Sequence, residues 1–280
     1  MMEDTKWVVF IDSLSPRDLS RTEFLQNSMK GKMHATAPRV TPRVMSSIYT
    51  GLDPAENGMM RSQMFGVEDA TRPQQTTVME RAMANDMDVL SLYMPFSIPM
   101  NLHSGSAGIG TAMGGQQSAG PQQMIPQMTV PGPQGDLIGD QRHDIVFDHF
   151  VDYTTQLFST ARTLAPNYDV VFIGFRLIDS YCHFQYDCNE EGRGAGQGNR
   201  YRDKLAEVID IQLQQLLPRG DVLWFSDHGA TKKKETFYIN QWLKEKGYLT
   251  YEVDTDFIDQ AKEYGMMQGE QHPVNVRVEN

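Results

Sequence analysis

The chain has 280 residues and a mass of 31.8 kDa, of which 40% are hydrophobic and 22% are charged. This length and composition are typical of a soluble globular protein that buries a core of its own. The net charge of −11 and the pI near 5.1 argue against nonspecific binding to nucleic-acid backbones, which requires a basic surface.

No apolar run approaches the roughly 20 residues that a membrane helix needs, and the segment Met1–Lys6 does not resemble a signal peptide. Cys182 and Cys188 are the only cysteines. A single cross-link would add little to a chain of this size, so two reduced thiols in a cytoplasmic protein are the simpler interpretation. We therefore expect a cytoplasmic protein without a membrane partner.

The first predicted strand is Trp7–Ile11, a wholly apolar run that ends at Asp12. Such a run is typical of a strand buried on both faces of a parallel sheet. Asp12 then lies at the carboxyl end of the strand, where α/β sheets place their ligand sites. The alternative is that Asp12 caps a helix in the following segment, Ser13–Asn27.

Thr41 precedes Pro42, which is the order of a helix N-cap followed by a proline at the first helical position. The helix is expected to run to about Tyr49 and to end near Gly51. A threonine hydroxyl at a helix start faces free N–H groups and the positive end of the helix dipole, which stabilise an alkoxide or a phosphate. Capping alone would also explain this threonine.

The pattern next predicts a helix over Thr77–Asn85 and a strand over Val89–Met94. Residues 95–140 are rich in Gly, Pro, Gln, Ser and Met and have no lasting periodicity. A structureless loop of that length is unusual inside a compact domain, so this segment is expected to be a lid, an insert or a partly disordered stretch.

His143–Leu164 is helical by pattern, and Asp169–Phe175 is a third apolar strand. Beyond that strand, Asp179 and His183 are four residues apart. One helical turn brings such a pair onto one face, within reach of a single cation.

A further helix, Tyr201–Leu217, leads into the strand Val222–Ser226. That strand ends on Asp227 and His228, followed by Gly229, where the chain can turn sharply. An adjacent carboxylate and imidazole could bind one divalent cation such as zinc or manganese, although such a turn is also common in plain surface loops.

The remaining segments predict a helix over Phe237–Lys246, stopped by Gly247, and a strand over Tyr248–Val253. The tail supplies one more imidazole, His272. The alternation of strands and helices predicts an α/β fold with a mostly parallel central sheet and helices on both faces. We expect one domain over residues 1–280, with residues 95–140 as an insert or lid.

Taken in order, these motifs resemble the alkaline phosphatase superfamily, and within it the type I phosphodiesterase/nucleotide pyrophosphatase group, with a reduced cap. The matching segments span nearly the whole chain. They are Phe10–Asp12, Val40–Pro42 with Thr50–Gly51 and Pro54, Tyr93–Pro95, Asp179 with His183, Ser226–Gly229 and Ile239–Leu249.

The resemblance implies a site for two divalent metal ions, usually zinc, beside a threonine nucleophile, Thr41. One ion would be held by Asp12, Asp227 and His228 and would also contact the Thr41 oxygen. The other would be held by Asp179, His183 and a histidine nearer the carboxyl end, for which His272 is the candidate. Two cations about 4 Å apart can clamp the attacking and leaving oxygens of an in-line displacement.

Arg39 and Arg43 flank Thr41 and could bind phosphate oxygens, although solvent-facing arginines are an equal alternative. The expected substrate is a small phosphodiester or nucleotide pyrophosphate. A phosphomonoesterase, phosphonate hydrolase, sulfatase or phosphoglycerate mutase of the same superfamily is a second hypothesis. A third is a degenerate member that binds metal or nucleotide without catalysis.

Overall fold

The computed structural model describes ten stretches of the chain, which divide into two compact units, residues 1–232 and 233–280. The described stretches are residues 5–19, 22–28, 30–35, 40–59, 73–97, 105–111, 117–119, 140–179, 195–229 and 237–249.

A six-stranded sheet lies in the first unit, with the strand order β4-β3-β2-β5-β1-β6. Five strands are parallel, and β4 pairs antiparallel with β3 at one edge. The mostly parallel sheet predicted from the alternation of elements is confirmed. The strands are β1 (Lys6–Ile11), β2 (Val89–Pro95), β3 (Ala107–Thr111), β4 (Gln117–Ala119), β5 (Val170–Phe175) and β6 (Val222–Phe225).

The strands β3 and β4 lie inside residues 95–140, which the sequence had led us to expect as a loop-rich insert or lid. Two short strands in this segment extend the sheet beyond β2, and the expectation of an insert or lid stays a prediction. Glycine is disfavoured in strands, and β3 has Gly108 and Gly110 on either side of a single Ile109. Its pairing therefore depends on backbone hydrogen bonds to β2, which a side-chain pattern does not reveal. Residues 98–104, 112–116 and 120–139 lie outside the described residues.

The helices of the first unit mostly agree with the predicted ranges. The segment after β1 is the exception, because it forms two short helices with an extended Thr22 (φ −115°) before the second, instead of one long helix. The helices are α1 (Pro16–Leu19), α2 (Glu23–Asn27), α3 (Thr41–Thr50), α4 (Val78–Met83), α5 (Asp140–Leu164) and α6 (Ala195–Gln214).

Apolar side chains cover the sheet on both faces, as the sequence predicts. Alternate residues of β1 point to opposite faces, so Trp7, Val9 and Ile11 join one cluster while Phe10 joins the other. Residues of α5 and α6 pack in the first cluster, and those of α3 and α4 in the second.

A bulge in β2 is the main irregularity of the sheet. Tyr93 has a φ of 55°, and the pairing with β3 shifts register between Leu92 and Met94. The Tyr93 carbonyl lies so close to Gly174 of β5 that a Cβ added there would be 2.1 Å from the carbonyl oxygen. Gly174 is therefore required by the close approach of the two backbones.

The second unit contains α7 (Ile239–Glu245), close to the predicted helix, and the chain turns at Gly247 with a φ of 76°. The Trp242 ring lies 6.0 Å from that of Phe237 and 6.5 Å from that of Tyr248, centroid to centroid. The strand predicted over 248–253 falls largely outside the described residues.

None of the helices in the described stretches is both long and apolar enough to cross a bilayer.

Candidate functional site

The candidate site lies at the carboxyl edge of three neighbouring parallel strands. Asp12 follows β1 directly, Asp179 lies four residues beyond β5, and Asp227 and His228 follow β6 closely. Because β1 pairs with both β5 and β6, residues from chain positions far apart meet at one place. This is the edge at which open α/β sheets bind their ligands.

Two loops at this edge are tied together by Ser226. Its hydroxyl accepts a hydrogen bond from the Leu14 N–H (3.0 Å) and donates one to the His228 carbonyl (2.8 Å). Gly229 comes so close to Ser15 that an added Cβ would be 2.8 Å from the serine Cβ. The loop after β1 and the loop after β6 are therefore fixed against each other.

Asp12, Asp179 and His228 form a group that could hold a metal ion. One ligand atom from each lies within 4.8 Å of the others. His228 Nε2 is 3.8 Å from Asp12 Oδ1 and 3.3 Å from Asp227 Oδ2. Zinc binds carboxylate oxygens and imidazole nitrogens, and this group contains both kinds of ligand atom.

Burial disfavours negative charge at this site. Asp12 is fully buried, and burial, followed by the neighbouring carboxylates of Asp227 and Asp179, raises its pKa well above the ordinary value. Burial also raises the pKa of Asp227. Arg176 compensates part of this charge, since its Nε lies 3.2 Å from Asp12 Oδ2 and its Nη2 lies 3.5 Å from Asp179 Oδ2.

One buried oxygen of the group, Asp12 Oδ1, accepts no hydrogen bond from any described residue. A buried carboxylate oxygen without a partner is costly unless a cation satisfies it. Together with the clustered carboxylates, this oxygen makes the residues a fit for a divalent cation.

Thr41 lies at the first turn of α3, but it does not cap the helix. The residue preceding the helix is Val40, and the helix begins at Thr41 itself, so the predicted N-cap position was wrong by one residue. The predicted end was correct, because Gly51 terminates the helix with a φ of 72°. The Thr41 hydroxyl instead faces the site, with Oγ1 3.0 Å from His228 Nε2.

The position of α3 is maintained by a buried amide. Asn57 donates to Ser46 Oγ at 3.1 Å and to Thr50 Oγ1 at 3.4 Å, both on α3. Tyr49, also on α3, donates to the Pro95 carbonyl at 2.8 Å, and burial raises the pKa of its hydroxyl so that the proton stays in place. These bonds link α3 to the loop that follows it and to β2.

Of the residues predicted from the sequence, the structure brings Asp12, Thr41, Asp179, Asp227 and His228 together. Arg43 lies in the first turn of α3, two residues after Thr41. His183, His272 and Arg39 lie outside the described residues, so their roles stay predictions.

Ser13, Arg176 and Ser226 contact the predicted ligands or the loops that carry them, and sequence reasoning missed their roles. Ser13 contacts Asp179, which lies 166 residues away in the chain, and Arg176 contacts Asp12 164 residues away. In the sequence, only their positions point to a role, since each of the three residues follows the end of a strand or lies beside a predicted ligand.

The model of the family described as type I phosphodiesterase / nucleotide pyrophosphatase matches residues 7–277. No curated protein matches the chain. The family consists of phosphodiesterases and pyrophosphatases, hydrolases that are typically metal-dependent, and it is part of the alkaline phosphatase superfamily. Because the family model matches nearly the whole chain, and because acidic and imidazole groups meet at the sheet edge, the chain belongs to the type I phosphodiesterase/nucleotide pyrophosphatase family.

Proposed function

We propose that the protein hydrolyses a phosphodiester or nucleotide pyrophosphate bond with metal ions at the sheet edge and Thr41 as the nucleophile. The observation that supports this most strongly is the Thr41 hydroxyl, whose Oγ1 lies 3.0 Å from His228 Nε2. His228 in turn belongs to the group of possible metal ligands with Asp12 and Asp179. A hydroxyl beside such a group can act as an activated nucleophile.

The environment of Thr41 favours a negatively charged oxygen. Thr41 is the first residue of α3, near the positive end of the helix dipole. Its hydroxyl hydrogen-bonds to the Asp227 side chain and lies 3.0 Å from His228 Nε2, so it is directed toward the candidate metal ligands. Negative charge that develops on the oxygen, or on a phosphoryl group attached to it, is stabilised there.

The residues proposed to hold the metal ions are those that the resemblance assigned. Asp12, Asp227 and His228 would hold one ion near Thr41. Asp179, with His183 and His272, would hold the second. When bound, such ions lower the pKa of the attacking hydroxyl and offset charge on the leaving oxygen, and zinc is the expected metal.

In the proposed reaction the Thr41 oxygen forms a bond to phosphorus while the bond from phosphorus to the leaving oxygen breaks. The hydroxyl proton passes from Thr41 to solvent, and the leaving oxygen takes up a proton from solvent. Water then cleaves the bond between Thr41 and phosphorus and restores the hydroxyl. Asp12 and Asp227 would act as ionised ligands when the ions are bound.

Arg43 is the proposed partner of the substrate's non-bridging oxygens. Its Nε is buried and has no hydrogen-bond partner among the described residues. A guanidinium can bind two phosphate oxygens at once, and α3 holds Arg43 two residues from Thr41. Arg39 is proposed for the same role on the preceding segment.

The test is hydrolysis of bis(p-nitrophenyl) phosphate by the purified protein loaded with zinc or manganese. Thr41→Ala should lower kcat by roughly a thousandfold or more, because it removes the group that forms the covalent bond. Ser47→Ala is the matched control, since its hydroxyl lies on the same helix and bonds to no described residue. Normal turnover by Thr41→Ala would remove the proposed nucleophile.

Rates on phosphomonoesters, phosphonates and sulfate esters, measured beside the diester, would test the choice of substrate class. A diester preference supports the proposal. A preference for monoesters or sulfates would move the chain to another activity of the same superfamily.

A further inference from the structure

Ser13 has a backbone conformation that its residue type disfavours. It follows Asp12 directly and has a φ of 62°, in the left-handed region. A residue with a Cβ is disfavoured there relative to glycine. The residue is also almost completely buried, at 1% exposure. A strained and buried serine beside a predicted metal ligand suggests that its hydroxyl has a task that glycine could not perform.

The Ser13 hydroxyl lies between two of the candidate ligands. It donates a hydrogen bond to Asp179 Oδ1 at 2.8 Å, and its Oγ is 3.2 Å from His228 Nδ1. One buried hydroxyl therefore connects the carboxylate beyond β5 to the imidazole beyond β6.

These contacts determine which nitrogen of His228 carries the proton. The single Ser13 proton points to the carboxylate, so Oγ can only accept from the imidazole, which requires a proton on Nδ1. The Gly229 carbonyl, 3.3 Å from Nδ1, is an acceptor only and favours the same form. In the neutral ring, Nε2 then carries the lone pair, which can accept the proton of the Thr41 hydroxyl, whose Oγ1 lies 3.0 Å away.

The Nε2 lone pair also faces the acidic group. Nε2 is 3.8 Å from Asp12 Oδ1, and Asp227 Oδ2 is 3.3 Å away. Two acceptors this close repel each other unless a cation lies within reach of both. A metal-binding histidine commonly donates its other N–H to a nearby acceptor, which fixes the ring and its tautomer.

We propose that Ser13 is a positioning residue that holds His228 in the Nδ1-protonated form and couples it to Asp179, so that Nε2 and the carboxylates present their lone pairs to a divalent cation. This inference rests on the proposed function, because it assumes that His228 and Asp179 are metal ligands. In this role Ser13 does not contact the substrate.

Two variants separate the hydroxyl from the backbone. Ser13→Ala removes the hydroxyl and keeps the left-handed strain, whereas Ser13→Gly removes the hydroxyl and relieves the strain. Ser91→Ala is the control, since Ser91 is a fully buried serine of β2 whose hydroxyl donates to Met79 Sδ at 3.5 Å, away from the candidate ligands.

The first measurement is the nitrogen chemical-shift pattern of ¹⁵N-labelled histidines in zinc-stripped protein, with His228→Gln used to assign the signal. The wild type and Ser91→Ala should have the Nδ1 proton. Both Ser13 variants should give a mixture of the two tautomers. A proton on Nε2 in the wild type, or an unchanged pattern in both variants, would overturn the inference.

The second measurement is calorimetric titration with Zn²⁺ alone. Both Ser13 variants should bind zinc about tenfold more weakly than the wild type. Equal weakening in Ser13→Ala and Ser13→Gly, with different free energies of unfolding, would assign the effect to the hydroxyl. Unchanged affinity, or no zinc binding by the wild type, would contradict the proposal. Neither readout uses turnover, so a failure of the Thr41 test remains a separate result.

Discussion

The Asp12 carboxylate lies where burial and two neighbouring carboxylates disfavour its charged form. Asp12→Asn should therefore leave the zinc-stripped protein at least as stable as the wild type at pH 8, because it removes a buried negative charge. The same variant should lose most of the stabilisation by zinc. In the wild type that gain is about 2.7 kcal/mol at one hundred times the dissociation constant. Urea unfolding with and without zinc measures both quantities, and equal zinc stabilisation of the two proteins would exclude Asp12 as a ligand.

The pH dependence of the zinc-stripped protein follows from the same residue. A pKa raised in the folded state means that the folded protein binds the Asp12 proton more tightly than the unfolded chain does. This contribution to stability is present at low pH and is lost as the pH rises from the ordinary value of 3.8 through the folded pKa. Asp12→Asn should therefore have a flatter curve of unfolding free energy against pH as the pH rises above 3.8. If the free energy of unfolding changed with pH in the same way in both proteins, the pKa of Asp12 would not be raised in the folded state.

At the scale of single residues, sequence reasoning could find the groups that follow apolar runs. Asp12, Asp227 and His228 each come where a predicted strand ends. Ser13 lies beside Asp12, but its role could not be inferred from that position, because its contacts with Asp179 and His228 span 166 and 215 residues and depend on the register of three strands. Its left-handed backbone is also invisible in the sequence, since serine does not signal a positive φ.

Among the elements, β2 and β5 are connected by an unusually close backbone approach. Gly174→Ala should destabilise the protein by roughly 2–4 kcal/mol, because the new Cβ would lie 2.1 Å from the Tyr93 carbonyl oxygen. Gly31→Ala is the matched control, since an added Cβ there meets nothing within 4 Å. Urea unfolding of both variants measures the difference. A Gly174→Ala protein as stable as Gly31→Ala would mean that the bulge at Tyr93 is absent.

The elements that were predicted well have strong local signals. β5 is a run of apolar residues, and α4 begins with a capping box in which Thr77 and Glu80 bond reciprocally. In contrast, β3 and β4 have few large apolar residues and were missed. The start of α3 was misplaced by one residue because the Thr-Pro pair fits an N-cap equally well, and only the structure shows that Thr41 turns its hydroxyl toward His228.

At the scale of the whole molecule, the sheet order decides which ends of strands become neighbours. The alternation of elements predicted a mostly parallel sheet, but it does not give the order, in which β1 lies between β5 and β6. That order places Asp12, which follows β1, next to Asp227, which follows β6. The family match over residues 7–277 is consistent with such a sheet. Local patterns cannot supply the order because it depends on crossover connections between distant segments.

The central claim is that Thr41 carries the phosphoryl group during turnover, and trapping the covalent intermediate tests it most directly. Zinc-loaded protein is mixed with bis(p-nitrophenyl) phosphate, quenched in acid within the first turnover and digested for mass spectrometry. We predict a phosphoryl group with its remaining nitrophenyl ester on the peptide that contains Thr41, and no such adduct in Thr41→Ala. Turnover by the wild type without a covalent adduct, or with the adduct on another residue, would contradict the claim.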